Sequence, residues 1–149
     1  MAIEEASRAL VIDYMAGDPI VVGHNVPIEV AAETLADHDI GGLPVVDDTG
    51  RLVGVISQTD LVRLRASAAP RSTWPALRVR DVMTRPAETI RGSASIQDAA
   101  RAMTVRGIDR LVVVGDDAET AVGVISDSDL VRAFGRQCRR RLVTVVAVE

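Results

Sequence analysis

Two nearly identical strings hold the residues of this chain whose types and spacing favour ligand binding. Gly54–Val62 reads GVISQTDLV, and Gly123–Val131 reads GVISDSDLV. Each passes from a β-branched apolar run through hydroxyl residues to a helical pattern led by an acid, which predicts a strand, a turn and a helix. Amides and hydroxyls at a helix start favour an anion such as phosphate, and a nearby carboxylate can accept hydrogen bonds from a ribose diol. The strings therefore predict two cradles for ribose and phosphate.

The same residues also fit a purely structural role. Ser57–Asp60 and Ser126–Asp129 both have the spacing of a capping box, in which a serine and an acid satisfy the first amides of a helix. A second hydroxyl stands just before each acid, at Thr59 and Ser128. This hydroxyl and the length of the repeat favour the ligand-binding interpretation over a cap alone.

Composition excludes several classes of function. All 17 basic residues are arginine, so the chain has no lysine for Schiff-base chemistry. Aromatic residues make up only 2% of the chain, too few for a platform that stacks nucleic-acid bases. The net charge of −4 gives no bulk attraction to nucleic acid or to an anionic membrane. These counts favour a core of aliphatic residues and a small-molecule ligand.

Cysteine and histidine are too few for a metal site or an obvious catalytic centre. The lone Cys138 and the two histidines, His24 and His38, match no zinc spacing. The start of the chain is acidic, and no apolar stretch approaches the roughly 18 residues that cross a bilayer. We therefore expect a non-enzymatic protein of the reducing cytoplasm, with no metal and no required cofactor.

The elements that must position the two strings also occur twice. Each unit begins with an Asp-x-Met entry pattern, which ends at Met15 in the first unit and 68 residues later at Met83 in the second. Asp129 follows Asp60 by 69 residues. The single extra residue falls in the second hairpin turn, where a folded unit tolerates a change of length. Between these points lie a short strand, an amphipathic helix and a hairpin. The sequence thus predicts an α+β fold made of two β-α-β-β-α units.

This repeat divides the chain into four parts. They are a first unit with an N-terminal helix at Ile3–Leu10 (1–65), a proline-containing linker (66–77), a second unit (78–135) and a C-terminal extension (136–149). The apolar run Leu142–Val148 in the extension predicts an additional strand. A free strand edge would pair with a second chain, which favours a homodimer.

The doubled units resemble a tandem pair of CBS domains, the cystathionine β-synthase type also called a Bateman module, over roughly residues 8–135. The resemblance rests on the Asp-x-Met entries, the two strings and their nearly constant spacing. It implies two units packed about a pseudo-two-fold axis, with two clefts that bind adenine nucleotides or related adenosyl compounds. It also implies a regulatory sensor without catalytic residues.

The family pattern, transferred residue by residue, implies two different clefts. The Asp129 cleft takes Asp129 on the ribose, Ser126 and Ser128 on ribose or phosphate, Val124 against the base, Arg110 on phosphate, and Ile20, Ile40 and Gly41 from the first unit. The Asp60 cleft takes Asp60, Ser57, Thr59 and Val55, with Glu88, Ile108 and Asp109 from the second unit. In this second cleft Gly42 stands where Arg110 stands in the first.

The resemblance predicts that the Asp129 cleft binds AMP, ADP or ATP more tightly than the Asp60 cleft. The Asp60 cleft is then empty or holds adenosine or S-adenosylmethionine, because Glu88 and Asp109 add negative charge there. Asp109 also stands where the family often has a histidine, which disfavours a triphosphate.

Other functions stay open. One is a structural or dimerisation module with empty clefts, and another is nucleic-acid contact through Arg136, Arg139, Arg140 and Arg141. A Ser-His-Asp hydrolase is disfavoured because neither histidine lies in a repeated string and the chain has no Gly-x-Ser-x-Gly motif.

Overall fold

The two predicted units are present, each preceded by a one-turn helix. This computed structural model describes residues 9–148, with side chains described for 9–139. The helices are α1 Val11–Tyr14, α2 Ile28–His38, α3 Gln58–Ala66, a 3₁₀ helix at Arg71–Ala76, α4 Val79–Val82, α5 Ile96–Arg106 and α6 Asp127–Val148. The strands are β1 Ala16–Gly17, β2 Val22–Gly23, β3 Gly42–Val46, β4 Leu52–Ser57, β5 Thr89–Arg91, β6 Arg110–Val114 and β7 Ala121–Ser126.

Each unit builds a sheet around its hairpin. The first sheet has the order β2-β3-β4 and the second the order β1-β7-β6-β5. Hairpin strands are antiparallel, whereas β2 lies parallel to β3 and β5 lies parallel to β6. The parallel pairs follow from the helices α2 and α5, since a parallel connection needs a crossover. The predicted order β-α-β-β-α is confirmed in both units.

Each unit starts with an entry segment, which runs from α1 to β1 in the first unit and from α4 to Thr84 in the second. This segment crosses to the sheet of the other unit. Ala16, from the start of the first unit, pairs with Val124 of β7. Thr84, from the start of the second unit, forms an antiparallel bridge with Val55 of β4. These pairs are equivalent in the repeat, so the exchange is reciprocal and relates the units by a pseudo-two-fold axis.

The same exchange joins the two hydrophobic cores. Val79 of α4 is fully buried in the core of the first unit, and Val11 of α1 is fully buried in the core of the second. The first core contains Val22, Ala31, Leu35, Leu43, Val45, Ile56 and Val79, and the second Val11, Ala99, Met103, Leu111, Val113 and Ile125. Neither core is complete without a helix from the other sequence repeat.

The glycine that opens each repeated string allows this close approach. A Cβ on Gly54 would lie 2.7 Å from the Thr84 carbonyl oxygen. A Cβ on Gly123 would lie 2.8 Å from the Ala16 carbonyl oxygen and 2.6 Å from the Met15 sulfur. Real Cβ atoms do not approach backbone this closely, so only glycine lets the crossed entry segment lie against the strand.

The C-terminal prediction was wrong. Residues 136–148 continue α6 as helix instead of forming an additional strand. A helix satisfies its backbone hydrogen bonds within itself, whereas a strand needs a neighbour, and neither sheet includes this segment. The predicted helix at Ile3–Leu10 lies outside the described residues except at its end, where Leu10 bridges Ser95.

The linker contains a turn of structure that the sequence analysis did not predict. Its 3₁₀ helix carries Trp74, whose ring centroid lies 5.7 Å from the Arg65 guanidinium and 5.8 Å from that of Arg71.

Among the described residues, no helix combines the length and the apolarity that a membrane span requires.

Substitution Gly123→Ala tests the exchange of entry segments. The added methyl group would meet a backbone carbonyl that cannot move away on its own, so we expect the free energy of unfolding to fall by about 2 kcal/mol. Chemical denaturation measures this change. The control is Gly17→Ala in the facing strand, where nothing lies within 4 Å of the new methyl group and stability should hold or rise slightly. Equal effects of the two substitutions would contradict the close approach.

Candidate functional site

The two predicted carboxylates form the capping boxes that their spacing predicts. Asp60 Oδ2 accepts hydrogen bonds from the Ser57 amide at 2.9 Å and the Ser57 hydroxyl at 3.0 Å. Asp129 Oδ2 accepts from the Ser126 amide at 2.8 Å and the Ser126 hydroxyl at 3.1 Å. One oxygen of each acid is thus committed to its own helix start, and only Oδ1 remains for other partners.

The remaining oxygen of Asp60 bonds to the entry segment of the other unit directly, whereas that of Asp129 is linked to it through Arg132 of the same helix. The Thr84 hydroxyl donates to Asp60 Oδ1 at 2.9 Å. Arg132 Nη2 donates to Asp129 Oδ1 at 2.8 Å and to the Tyr14 carbonyl at 3.3 Å. Sequence reasoning missed Thr84 and Arg132, although Thr84 directly follows the repeated methionine of the entry pattern.

The two acids differ in how open their surroundings are. Asp60 is 8% exposed and its Oδ1 is held by a short side chain. The side chain of Asp129 is 15% exposed, and its partner Arg132 is 57% exposed on a long and flexible stem. The contact to Asp129 Oδ1 thus comes from an exposed arginine on a flexible stem, whereas that to Asp60 Oδ1 comes from the short side chain of Thr84.

Arg110 of the second unit lies across the backbone of Gly41 and Gly42 in the first unit. A Cβ on Gly42 would lie 2.8 Å from the Arg110 Cδ, and one on Gly41 would overlap the guanidinium. Arg110 also pairs with Ser126 across β6 and β7, which puts both side chains on one face of the sheet. The structure thus brings together three predicted members of the Asp129 cleft: Arg110, Gly41 and Ser126.

This contact breaks the internal symmetry. Gly41–Gly42 and Asp109–Arg110 occupy equivalent positions in the repeat and meet across the pseudo-two-fold axis. Two arginines at these positions would fill the same space and repel each other. The glycine pair in one unit therefore makes room for the arginine of the other.

The Arg110 guanidinium also has an ionic partner. Its Nε donates to Asp109 Oδ1 at 2.9 Å and its Nη2 donates to Asp109 Oδ2 at 3.0 Å, which is a bidentate pair. These hydrogen bonds, together with the positive charge, hold the pKa of Asp109 below its ordinary value despite partial burial, which raises it. Asp109 is therefore ionised at neutral pH, and its negative charge already balances the positive charge of Arg110.

The helix that ends each unit begins against the residues that precede the central strand of the same unit. Gln58 at the start of α3 donates its amide to the Gly41 carbonyl at 2.9 Å and its side chain to the Ile40 carbonyl at 3.4 Å. Asp127 at the start of α6 donates its amide to the Asp109 carbonyl at 2.9 Å. Ile20, Thr59 and Ser128 are exposed, Val55 and Val124 are half-buried beside the entry segments, and Ile108 packs on the second core.

Glu88 does not carry the free negative charge that the sequence analysis assigned to it. Its carboxylate accepts from Arg106 Nη1 at 2.5 Å. Asp109 is paired with Arg110 as well. Neither acid is therefore the unpaired negative charge that the sequence predicted for the Asp60 cleft.

A separate cleft of about 410 Å³ opens at the hairpin ends. Its lining residues are Asp18, Pro19, Val21, Val46, Gly50, Thr120 and Ala121. It contains no predicted site residue, although Pro19 and Val21 flank Ile20. Within the described residues, no group of three or more histidine, cysteine or acidic side chains is arranged to hold a metal ion.

Two exchanged β-α-β-β-α units, with paired helix starts facing the junction between them, define a tandem module suited to non-covalent ligand binding. A comparison with known families agrees with this architecture. The family model described as CBS domain matches residues 11–67 and again residues 79–136. The chain belongs to the CBS domain family and carries the domain as a tandem pair.

Solved structures of CBS pairs are similar along most of the chain. One is the CBS domain pair of protein MJ0100 in complex with 5-methylthioadenosine and S-adenosyl-L-methionine, with a TM-score of 0.76, 29% identity, and coverage of 87% of this chain and 98% of that one. Another is CBSX2 in complex with AMP, with a TM-score of 0.73, 31% identity, and coverage of 85% and 96%. Similar CBS pairs thus bind adenosyl compounds.

Curated relatives include longer proteins. The L-aspartate semialdehyde sulfurtransferase of Methanocaldococcus jannaschii is 33% identical over 126 residues, which cover 85% of this chain and 23% of that protein. The chloroplastic CBS domain-containing protein CBSX2 of Arabidopsis thaliana is 30% identical over 137 residues, covering 76% of this chain and 57% of that protein. This chain therefore spans less than two thirds of the length of these relatives.

Substitution Thr84→Val tests whether Asp60 links the two units. Valine keeps the branched shape and removes the hydroxyl that donates to Asp60, so we expect the free energy of unfolding to fall by about 1 kcal/mol. Thr104→Val is the control, because Thr104 is exposed and its hydroxyl bonds to a carbonyl of its own helix. Thermal and denaturant unfolding measure both variants, and a Thr84→Val variant as stable as the control would contradict the link.

Proposed function

We propose that this CBS pair is a regulatory ligand-sensing module that binds an adenosyl compound with a phosphate group in the Asp129 cleft. The observation that carries this proposal is the Arg110 guanidinium of one unit lying over Gly41–Gly42 of the other, beside Ser126. A phosphate bound there would contact both units at once. The complexes of similar CBS pairs with AMP and with S-adenosyl-L-methionine support the adenosyl class of ligand.

Each group in the cleft has a role that its chemistry favours. At the start of α6, Ser126 and the exposed Ser128 offer hydroxyls to the ribose or phosphate. The amides there already donate to Asp109, Asp127 and Ser126. Asp129 Oδ1 would accept from the ribose hydroxyls once Arg132 moves away. The apolar Val124 and Ile20 would contact the base.

The Asp60 cleft is the weaker site in this proposal. Gly42 supplies no cation, and both Asp60 oxygens are already bonded, to Ser57 and Thr84. An uncharged ligand such as adenosine, or a cationic one such as S-adenosylmethionine, suits this cleft better than a nucleotide.

Ligand binding would act through linkage between the units. A ligand that contacts both units stabilises the arrangement in which its contacts are complete, and so biases how the module holds a partner. Such coupling usually amounts to ~1–3 kcal/mol. In this proposal the chain performs no catalysis, and the sulfurtransferase named above would owe its activity to the remainder of its longer chain.

The two other functions that composition left open have less support. Within the C-terminal arginine cluster, Arg136 lies 5.9 Å from the centroid of the Tyr14 ring, so it contributes to packing. Nucleic-acid binding would weaken steeply with salt, whereas a nucleotide held in a cleft should show a weak salt dependence. A purely structural module with empty clefts would bind no adenosyl compound at any salt concentration.

A matched pair of variants tests the ligand and the cleft together. We expect AMP to bind the unmodified chain saturably in calorimetry, and Asp129→Asn to reduce its affinity at least tenfold by removing a charged acceptor. Asp60→Asn changes the repeat-equivalent acid and should leave AMP affinity within about twofold. Equal losses from both variants, or no AMP binding at all, would contradict the assignment.

We also propose that the module forms a homodimer through α3 and α6, the helices that end the two units. Val62 of α3 and Val131 and Phe134 of α6 are 66%, 70% and 68% exposed on repeat-related helices. Burying such side chains against a second copy would remove apolar surface from water. The helices, instead of the strand edge expected from the sequence, would then form the interface.

Light scattering after size exclusion measures this association. We expect the unmodified chain to be a dimer at micromolar concentration, and the double variant Val131→Glu with Phe134→Glu to be a folded monomer. Val105→Glu, at a residue that is 78% exposed on α5, is the control and should remain a dimer. A monomeric unmodified chain would rule out this interface.

A further inference from the structure

Asp109 has a position in the candidate site that neither the repeat nor the cap explains. Its equivalent in the first unit is Gly41, so the acid is present in one unit alone. Its side chain is 56% exposed, whereas that of its partner Arg110 is 20% exposed. The exposed Asp109 thus forms an ion pair with the largely buried Arg110, the residue that we expect to contact a phosphate.

We propose that Asp109, which the family pattern placed in the Asp60 cleft, acts through its pair with Arg110 as a specificity-determining residue of the Asp129 cleft. It competes with the ligand for Arg110 and disfavours ligands in proportion to their negative charge. This inference rests on the proposed function, because it names which adenosyl ligands the cleft accepts. It predicts a preference for a monophosphate over a triphosphate.

The geometry of the ion pair supports the competition. Asp109 occupies the Nε–Nη2 edge of the guanidinium, the edge that suits a bidentate contact with an oxyanion. Nη1 faces the Gly41 backbone. A phosphate must therefore displace the carboxylate or bind beside it, and both alternatives weaken anion binding.

The cost depends on the charge of the ligand. A single phosphate meets the guanidinium and one carboxylate, whereas a polyphosphate brings further negative groups near the same ionised Asp109. A ligand with one phosphate therefore still binds, and each further phosphate lowers its affinity.

The opposite role for Asp109 makes a different prediction. If its carboxylate served only to position Arg110 for the phosphate, removing its charge would leave the guanidinium less ordered and would weaken AMP binding. Competition predicts that the same change strengthens AMP binding. The sign of the effect therefore separates the two roles.

The experiment compares adenosine, AMP and ATP by calorimetry at one ionic strength. The proteins are the unmodified chain, Asp109→Asn, Arg110→Gln and the double variant. We expect Asp109→Asn to tighten AMP about threefold and ATP about tenfold while adenosine stays unchanged, because adenosine carries no phosphate. When Arg110→Gln is already present, adding Asp109→Asn should increase AMP affinity by less than the roughly threefold expected with Arg110 in place.

A matched acid controls for overall charge. Asp116→Asn removes one negative charge from a surface hairpin, where Asp116 pairs with Arg91, and should change no affinity more than about 1.5-fold. Equal gains from Asp116→Asn and Asp109→Asn, a gain for adenosine equal to that for AMP, or weaker AMP binding in Asp109→Asn would each overturn the inference.

A second measurement separates this inference from the proposed function. The Nε–H signal of Arg110 in nuclear magnetic resonance is followed during titration with inorganic pyrophosphate, which needs no adenosyl site. Asp109→Asn should respond at least threefold more tightly than the unmodified chain. If no adenosyl compound binds any variant, the proposed function fails, and an unchanged pyrophosphate response then overturns the competition as well.

Discussion

The close approach of each entry segment to the opposite sheet is the contact on which the rest of this structure depends. Gly54 and Gly123 let the backbones of Thr84 and Ala16 lie against β4 and β7, where a side chain would collide with a carbonyl oxygen. This approach places Val79 and Val11 in the opposite cores, so each unit completes the other. It also fixes the junction between the units. A ligand that binds there contacts surfaces whose relative position is set by the same packing that holds the fold together.

Duplication creates two equivalent junctions, but the residues on the axis prevent them from being chemically equal. Equivalent segments meet at Gly41–Gly42 and Asp109–Arg110, and the space between them holds one long side chain. A cation on one side therefore requires glycine on the other. The resulting asymmetry places a single guanidinium over the glycine pair of the first unit. The difference arises from steric exclusion, since Glu88 and Asp109 are each ion-paired.

The structural and ligand-binding interpretations of the repeated strings turn out to apply to different atoms of the same residues. Oδ2 of each acid caps its helix, as capping-box spacing predicts. Oδ1 accepts from Thr84 of the other unit in Asp60 and from Arg132 of the same helix in Asp129. The cap orients the carboxylate, which keeps its second oxygen at the junction. Asp60 is then closed by the Thr84 hydroxyl, whereas Asp129 is covered by an exposed arginine. The same local motif is thus more open in one unit than in the other because the entry segments differ.

The sequence by itself determined the two units, their β-α-β-β-α order and the capping boxes, because these depend on local periodicity and on residues three or four positions apart. It misassigned the C-terminal extension, since a β-branched apolar run fits a strand or a helix equally well until a neighbouring strand is present or absent. Only the tertiary structure decided that Glu88 is paired with Arg106, that Thr84 and Arg132 hold the free carboxylate oxygens, and that the glycines of the strings serve backbone contact. The Thr84 and glycine contacts join segments that are far apart in the chain, and the crossing of the entry segments brings them together. The Glu88–Arg106 and Asp129–Arg132 pairs form within the second unit, where the packing of the fold decides which of several charged side chains meet.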